Sequence, residues 1–223
     1  MTEPNKLVKI EAEVLRELSG NRKDVMDMYF YKYPIMSDIY WARLAKMLRM
    51  AQKFDGKKVL DLGCGQGVFL PSLSKHYEEV HGVDLDLSIC SRIKETLKLD
   101  NVTLHNENIL ESSLEGAEFD LILAPSVLEH FSDQDALFKS LTNMLKPGGH
   151  LIFSSPTETR LYELGRKIFG AVKPEDHYHS VFAIQRYAKK YLNFVTRETG
   201  PFSLLPSLLS VYVICAFQKP KEQ

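Results

Sequence analysis

The chain has 223 residues, 44% of them hydrophobic, which is enough for one sizeable α/β domain with some additions. Its formal net charge of −1 argues against a general nucleic-acid or membrane-surface binder. Three cysteines (Cys64, Cys90, Cys215) without metal-like spacing, and a polar, acidic start with no secretory pattern, point to a reducing, cytoplasmic setting.

Residues 1–54 read as a helical cap. Leu7, Ile10, Val14, Leu15 and Leu18 follow helical spacing, and Ser19-Gly20 closes that helix. An aromatic stretch follows, with Tyr29, Phe30, Tyr31 and Tyr33, and then Ser37-Asp38 can cap a helix that carries Ile39, Leu44, Met47 and Leu48. Residues 57–62 form a short apolar run bounded by Asp55-Gly56 and by glycines, as a buried parallel strand should. A helical pattern starts at Val68. Residues 79–83 predict a second strand ending at Asp84, residues 88–97 a helix, residues 102–105 a third strand and residues 119–124 a fourth. Residues 133–145 predict a helix, Lys146-Pro147-Gly148-Gly149 a stop signal, and residues 150–154 a fifth strand. This alternation predicts a doubly wound, Rossmann-like α/β sheet with right-handed crossovers. Residues 191–196 and 211–218 bring it to about seven strands. A loop from Gly200-Pro201 to Pro206 joins that pair, so the last strand is expected to be antiparallel. The apolar stretch at 204–217 is broken by Pro206 and too short to span a bilayer. The expected organisation is a cap (1–54), a ligand-binding core (55–156), a substrate-lid insertion (157–185) and C-terminal strands (186–223), all in one domain.

The first strand and its glycines carry the chemistry. Asp61-Leu62-Gly63-Cys64-Gly65-Gln66-Gly67 runs from a strand through a glycine turn into a helix. That layout brings a ligand against bare backbone at a helix N-terminus. A dinucleotide fingerprint needs its third glycine where Val68 stands, and no P-loop lysine follows. An acidic strand end followed by glycines suits a ligand with an ammonium group. Asp84, at the tip of the second strand, has the spacing of an acid that accepts from a ribose diol.

This pattern resembles motif I of the class I S-adenosylmethionine-dependent methyltransferases. Residues 119–131, with Ala124-Pro125 and Glu129-His130, are similar to motif IV, and residues 145–149 to the turn before strand five. The pattern is closest to the small-molecule methyltransferases of quinone-biosynthesis type. The resemblance implies S-adenosylmethionine as cofactor, held by Asp61, Gly63, Cys64, Gly65, Gln66, Gly67, Asp84, Leu85, Asn108, Ile109, Ala124 and Pro125, with Asn108 and Ile109 on the adenine side. It stops before residue 157, where substrate selection resides.

The implied reaction is in-line methyl transfer to a small-molecule oxygen or nitrogen acceptor. A hydroxyl acceptor also needs a general base, and His130, His177 and His179 are the candidates expected on the substrate side. His76, His81, His105 and His150 fall at helix-end or strand positions of the core. Some relatives resemble E-x-x-E-H plus a distant histidine holding a divalent ion. Here Ser126 replaces the first glutamate, so no metal is expected. Residues 157–182, with Leu161, Leu164 and Ile168 on a helical stripe, are expected to close over the cofactor together with the cap. A non-catalytic member of the fold and a nicotinamide-dependent oxidoreductase are the alternatives. The acceptor and the oligomeric state are not legible.

Overall fold

The computed structural model describes residues 6–20, 22, 34–159, 177–201 and 210–221. The aromatic stretch with Tyr29, Phe30, Tyr31 and Tyr33, the stripe Leu161, Leu164 and Ile168, and the 202–209 loop lie outside the described residues.

Seven strands form one sheet in the order β3-β2-β1-β4-β5-β7-β6. They are β1 (Lys58–Leu62), β2 (Glu79–Asp84), β3 (Val102–Asn106), β4 (Phe119–Pro125), β5 (Leu145–Pro156), β6 (Asn193–Gly200) and β7 (Tyr212–Gln218). The first five run parallel, and β7 runs antiparallel to both β5 and β6, as expected for a last strand reached without a crossover helix. The described helices are α1 (Ala12–Ser19), α2 (Pro34–Ala51), α3 (Leu70–His76), α4 (Ser88–Thr96), α5 (Gln134–Met144) and α6 (Val181–Tyr191). None of them is long and apolar enough to cross a membrane.

Alternate residues of each strand feed two apolar layers. On one face Val59, Val80, Leu121, Leu123, Ile152 and Ile214 pack with residues of α1 to α4, including Leu44, Met47, Leu48 and Leu70. On the other, Leu60, Leu62, Ile122, Phe153 and Phe217 pack with Phe138 and Leu141 of α5 and Ile184 and Ala188 of α6. Central strands covered on both faces explain why β1 and β4 read as continuous apolar runs rather than alternating ones.

Four local features depart from the sequence expectations. Helix α2 starts at Pro34, so Ser37-Asp38 lies inside its first turns rather than at its cap; proline's fixed φ suits a first helical position. The Lys146-Pro147-Gly148-Gly149 segment does not precede β5 but is a bulge inside it. Leu145 already pairs with Phe119, the register then shifts before Leu121 pairs with His150, and a Cβ on Gly149 would sit 3.0 Å from the Phe119 carbonyl oxygen. Helix α6 spans residue 185, where an insertion was expected to give way to strands. The crossover from β3 to β4 carries no α-helix, only a 3-10 turn at Ile109–Glu111.

Candidate active site

The carboxyl ends of β1, β2, β4 and β5 converge on one edge of the sheet, where ligands bind in such folds. The glycine loop after β1 is tied to β2, because the Gly63 and Cys64 N–H groups both donate to the Val83 carbonyl, at 2.9 and 3.1 Å. Gly63 has φ of +69°, and a Cβ there would meet Val127 Cγ2 at 2.5 Å. Gly65 has φ of +50° and no close neighbour, its ideal Cβ lying 4.0 Å from the Gly63 carbonyl oxygen. The first glycine is therefore fixed by packing, and the second leaves bare backbone facing the cleft.

Beside that loop lies a cleft of about 290 Å³, lined by Asp61, Gly63, Cys64, Gly65, Gln66, Asp84, Pro125 and Ser126, with Arg43 and Leu44 from α2. A larger hollow, about 460 Å³, opens at the opposite edge of the sheet among Lys57, Lys58, Glu78, Glu79, Asp120 and Lys146. Its three lysines are each paired with a carboxylate, so it reads as a salt-bridged rim.

Asp61 decides what the cleft fits. It is only 1% exposed, and neither carboxyl oxygen has a hydrogen-bond partner among the described residues. Burial, with the charge of Asp84 adding to it, pushes this carboxyl well above the usual carboxylate range. A buried carboxyl without donors is costly, and a ligand ammonium supplies both donors and charge. Asp84 is held by backbone: its Oδ2 accepts from Gly65 N–H at 2.8 Å and its Oδ1 from Asp86 N–H at 3.0 Å. Asn106 Nδ2 donates to the Asp84 and Leu85 carbonyls and pins the tip of β2. Leu85 is 75% exposed and offers an apolar surface to a planar base. The donors, charges and bare backbone thus fit S-adenosylmethionine, with its ammonium, ribose diol and adenine.

The remaining expected cofactor residues divide. Gly67 has φ of +77° and packs on Cys90 behind the loop. Ala124 and Ile109 are buried in the layer that holds α5, so only their backbone can face a ligand. Asn108 caps the 3-10 turn by accepting from Leu110 N–H at 3.1 Å. None of these four, nor Leu85, lines the cleft.

Sequence reasoning missed Arg43. It is 4% exposed, reaches from α2 to the Ser126 hydroxyl, and lies 5.0 Å from the Tyr40 ring centre. A charged residue on a helix reads as solvent-facing, although Arg43 falls four residues after Ile39 and four before Met47 on the apolar stripe, so its burial was legible there but its partner was not. It was also blind to Arg22, whose guanidinium donates to Asp86 Oδ2 at 2.7 Å at the mouth of the cleft.

Past the Ser126 edge of the cleft a 3-10 turn, Leu128–His130, begins two residues on. Glu129 is 1% exposed and accepts from the Ser155 hydroxyl at 2.7 Å. Burial raises its pKa, with Ser155 and the neighbouring His130 and His177 pulling the other way. The Tyr178 N–H donates to the Glu129 carbonyl, which seats the segment after the insertion against this turn. The His130 and His177 rings meet edge to face at 4.7 Å. One donor atom from each of Glu129, His130 and His177 lies within 4.8 Å of the others. His179 is drawn away, with Nε2 3.1 Å from the Ser132 carbonyl and its ring edge on Tyr187. Of the three expected histidines, the structure gathers two.

The description "methyltransferase domain" matches residues 38–194. The chain is 34% identical over 118 residues to the ubiquinone biosynthesis O-methyltransferase of Aliivibrio fischeri (strain MJ11), covering 51% of this chain and 50% of that protein. The enzyme of the same name from Coxiella burnetii (strain RSA 493 / Nine Mile phase I) is 34% identical over 102 residues, 45% of this chain and 44% of that one. The match thus spans about half the length of these curated relatives. The N-methyltransferase NodS from Bradyrhizobium japonicum WM9, crystallised with S-adenosyl-L-homocysteine, superposes with a TM-score of 0.67 at 22% identity, covering 94% of this chain and 98% of NodS. The [4+2]-cyclase SpnF superposes with a TM-score of 0.66 at 14% identity, covering 82% of each. At such identities these likenesses establish the fold, and SpnF, a cyclase, differs in activity from NodS. The family match is broader than half the chain and agrees with the site's fit to the cofactor: the chain belongs to the methyltransferase-domain family.

Proposed function

We propose that this protein transfers a methyl group from S-adenosylmethionine to a hydroxyl of a small-molecule acceptor. The observation that carries the reading is the buried Asp61 carboxyl, without a partner among the described residues, across one cleft from the Arg43 guanidinium. An amino-acid end has an ammonium for the first and a carboxylate for the second. Bound cofactor supplies an electrophilic methyl on a sulfonium. The chain does the rest: Asp61 and Arg43 orient the amino-acid end, Asp84 accepts from the ribose, and α2 covers the cleft through Arg43 and Leu44. A histidine of the Glu129, His130 and His177 group accepts the acceptor's proton. Hydroxyl is favoured over amine because the buried Glu129 with the half-buried His130 and His177 can serve proton removal, and because the curated relatives are named as O-methyltransferases.

An oxidoreductase is disfavoured by Asp61, whose buried carboxyl would face a pyrophosphate. The three buried thiols and the near-neutral charge support a cytoplasmic setting without nucleic-acid partners. Calorimetry with S-adenosylmethionine, S-adenosylhomocysteine and NAD, followed by a methyl-transfer screen over phenols, quinols, amines and thiols, tests the reading. Binding of NAD alone, or methylation of amines alone, overturns it.

Asp84→Ala should weaken S-adenosylhomocysteine binding by about 1.5–3 kcal/mol while the protein stays folded, since charge-assisted hydrogen bonds of this kind contribute that much. Calorimetry beside a melting curve checks it. Unchanged affinity in a folded variant would remove Asp84 from the ribose.

Transfer is also expected to be metal-independent. The set Glu129, His130 and His177 offers a single carboxylate, and Ser126, where a second would stand, is held by the cationic Arg43. A hard divalent ion prefers more anionic oxygen donors. Protein stripped with chelator should keep its full turnover. Recovery of a lost activity by magnesium, manganese or zinc would refute this.

A further inference from the structure

Glu158 has no role in the cofactor cleft and no assignment from the sequence, yet its placement is constrained. It stands two residues past the end of β5, with φ of +50°, a conformation non-glycine residues rarely adopt. Its neighbour Thr157 anchors the backbone: the Thr157 hydroxyl donates to the Ser210 carbonyl at 2.6 Å, and its N–H to the Val211 carbonyl at 3.1 Å. Held this way, Glu158 places Oε1 2.8 Å from Nδ1 of His177. The pair is largely removed from water, with side chains 8% and 11% exposed. On its other side the His177 ring meets His130 edge to face.

A carboxylate can only accept, so the proton in this contact sits on Nδ1. Neutral imidazole then carries its lone pair on Nε2. We propose that Glu158 is a positioning residue for methyl transfer, fixing His177 as the Nδ1–H tautomer so that Nε2 is the nitrogen that takes the acceptor's proton. This rests on the hydroxyl-acceptor reading and deepens it. In the step, the acceptor oxygen gives its proton to Nε2 and forms the new O–C bond. The C–S bond breaks with its electron pair left on sulfur, and the resulting imidazolium, still hydrogen-bonded to Glu158, returns the proton to solvent. The Glu–His contact plays the part that an acid plays behind a catalytic histidine elsewhere, holding tautomer and orientation without itself being protonated. β5 and the residues just past its end supply both supports of the site, Ser155 to Glu129 and Glu158 to His177.

The test is the 15N spectrum of histidine side chains in the full-length protein, with and without S-adenosylhomocysteine, with His177 assigned by loss of its signals in His177→Gln. Wild type should show His177 as Nδ1–H. Glu158→Gln, whose amide can donate to Nδ1, should move it to Nε2–H or to a mixture, and Glu158→Asp should keep part of the wild-type population. S-adenosylhomocysteine affinity should stay within about threefold in both variants. With a hydroxyl acceptor from the screen, Glu158→Gln should lower kcat roughly 100-fold, inside the range a general base contributes, with KM little changed. If Glu158→Gln does not fold, the Glu158→Asp spectrum and kcat carry the test. An Nε2–H signal in wild type, a tautomer indifferent to both substitutions, or an inverted tautomer with undiminished kcat overturns the proposal. Loss of S-adenosylhomocysteine binding by the wild type would instead count against the methyltransferase reading, and the tautomer spectrum would still decide the Glu158 contact.

Discussion

Asp61→Asn is expected to stabilise the ligand-free protein and to weaken cofactor binding in the same variant. The carboxyl is buried at the end of β1 with no donor among the described residues, and its pKa is raised by burial first and by Asp84 second. A group whose folded pKa lies above its unfolded value, ~3.9 for aspartate, costs stability as pH rises from the unfolded value towards the folded one. At neutral pH the folded state therefore bears this cost, and an amide of the same shape removes it. The gain should be about 1–2 kcal/mol, or roughly 2–8 °C in Tm for a protein of this size. Binding should change in the opposite direction, because the ammonium loses a charged partner: about 1.5–3 kcal/mol, or roughly 10- to 150-fold in Kd for S-adenosylhomocysteine. The melting curve of wild type should also decline as pH rises above ~4, and that of Asp61→Asn should decline less. A variant that melts lower, or binds as tightly, would show that Asp61 is a structural acid.

How much of this site could be read in advance depends on whether a residue's role is set locally. Asp61, Gly63, Gly65 and Asp84 were legible because a strand, its glycine turn and the next strand tip hold them in a fixed register, and β1 pairs with β2 residue for residue. Gly148-Gly149 was misplaced because a bulge and a turn demand the same dihedral freedom. Helix α6 escaped because its β-branched and aromatic neighbours at 191–196 dominated the reading, although Val181, Ile184, Gln185 and Ala188 keep a buried helical stripe. The roles of Arg43 and Glu158 were illegible for a different reason. Each acts through a partner far along the chain, Ser126 and His177, and each is a charged residue whose default place is the surface.

The histidines show the same limit at its sharpest, and they give the largest expected effect. His177 and His179 stand on either side of Tyr178, and no periodicity separates them. The structure does, because the backbone between them is seated on Glu129 and the two rings then take different partners, Glu158 for one and the Ser132 carbonyl for the other. His177→Ala should therefore lower kcat by ~10²–10⁴-fold, the range a general base contributes, with S-adenosylhomocysteine affinity near that of wild type. His130→Ala removes the ring against which His177 packs and should cost less, since the base itself survives. His179→Ala should cost least, because its contacts lie on Ser132 and Tyr187. Turnover measured with a hydroxyl acceptor, alongside calorimetry for the cofactor, gives the order. Should His177→Ala turn over within threefold of wild type, the chain would be catalysing by alignment alone. The acceptor would then need no base, as a free amine or a thiolate does not.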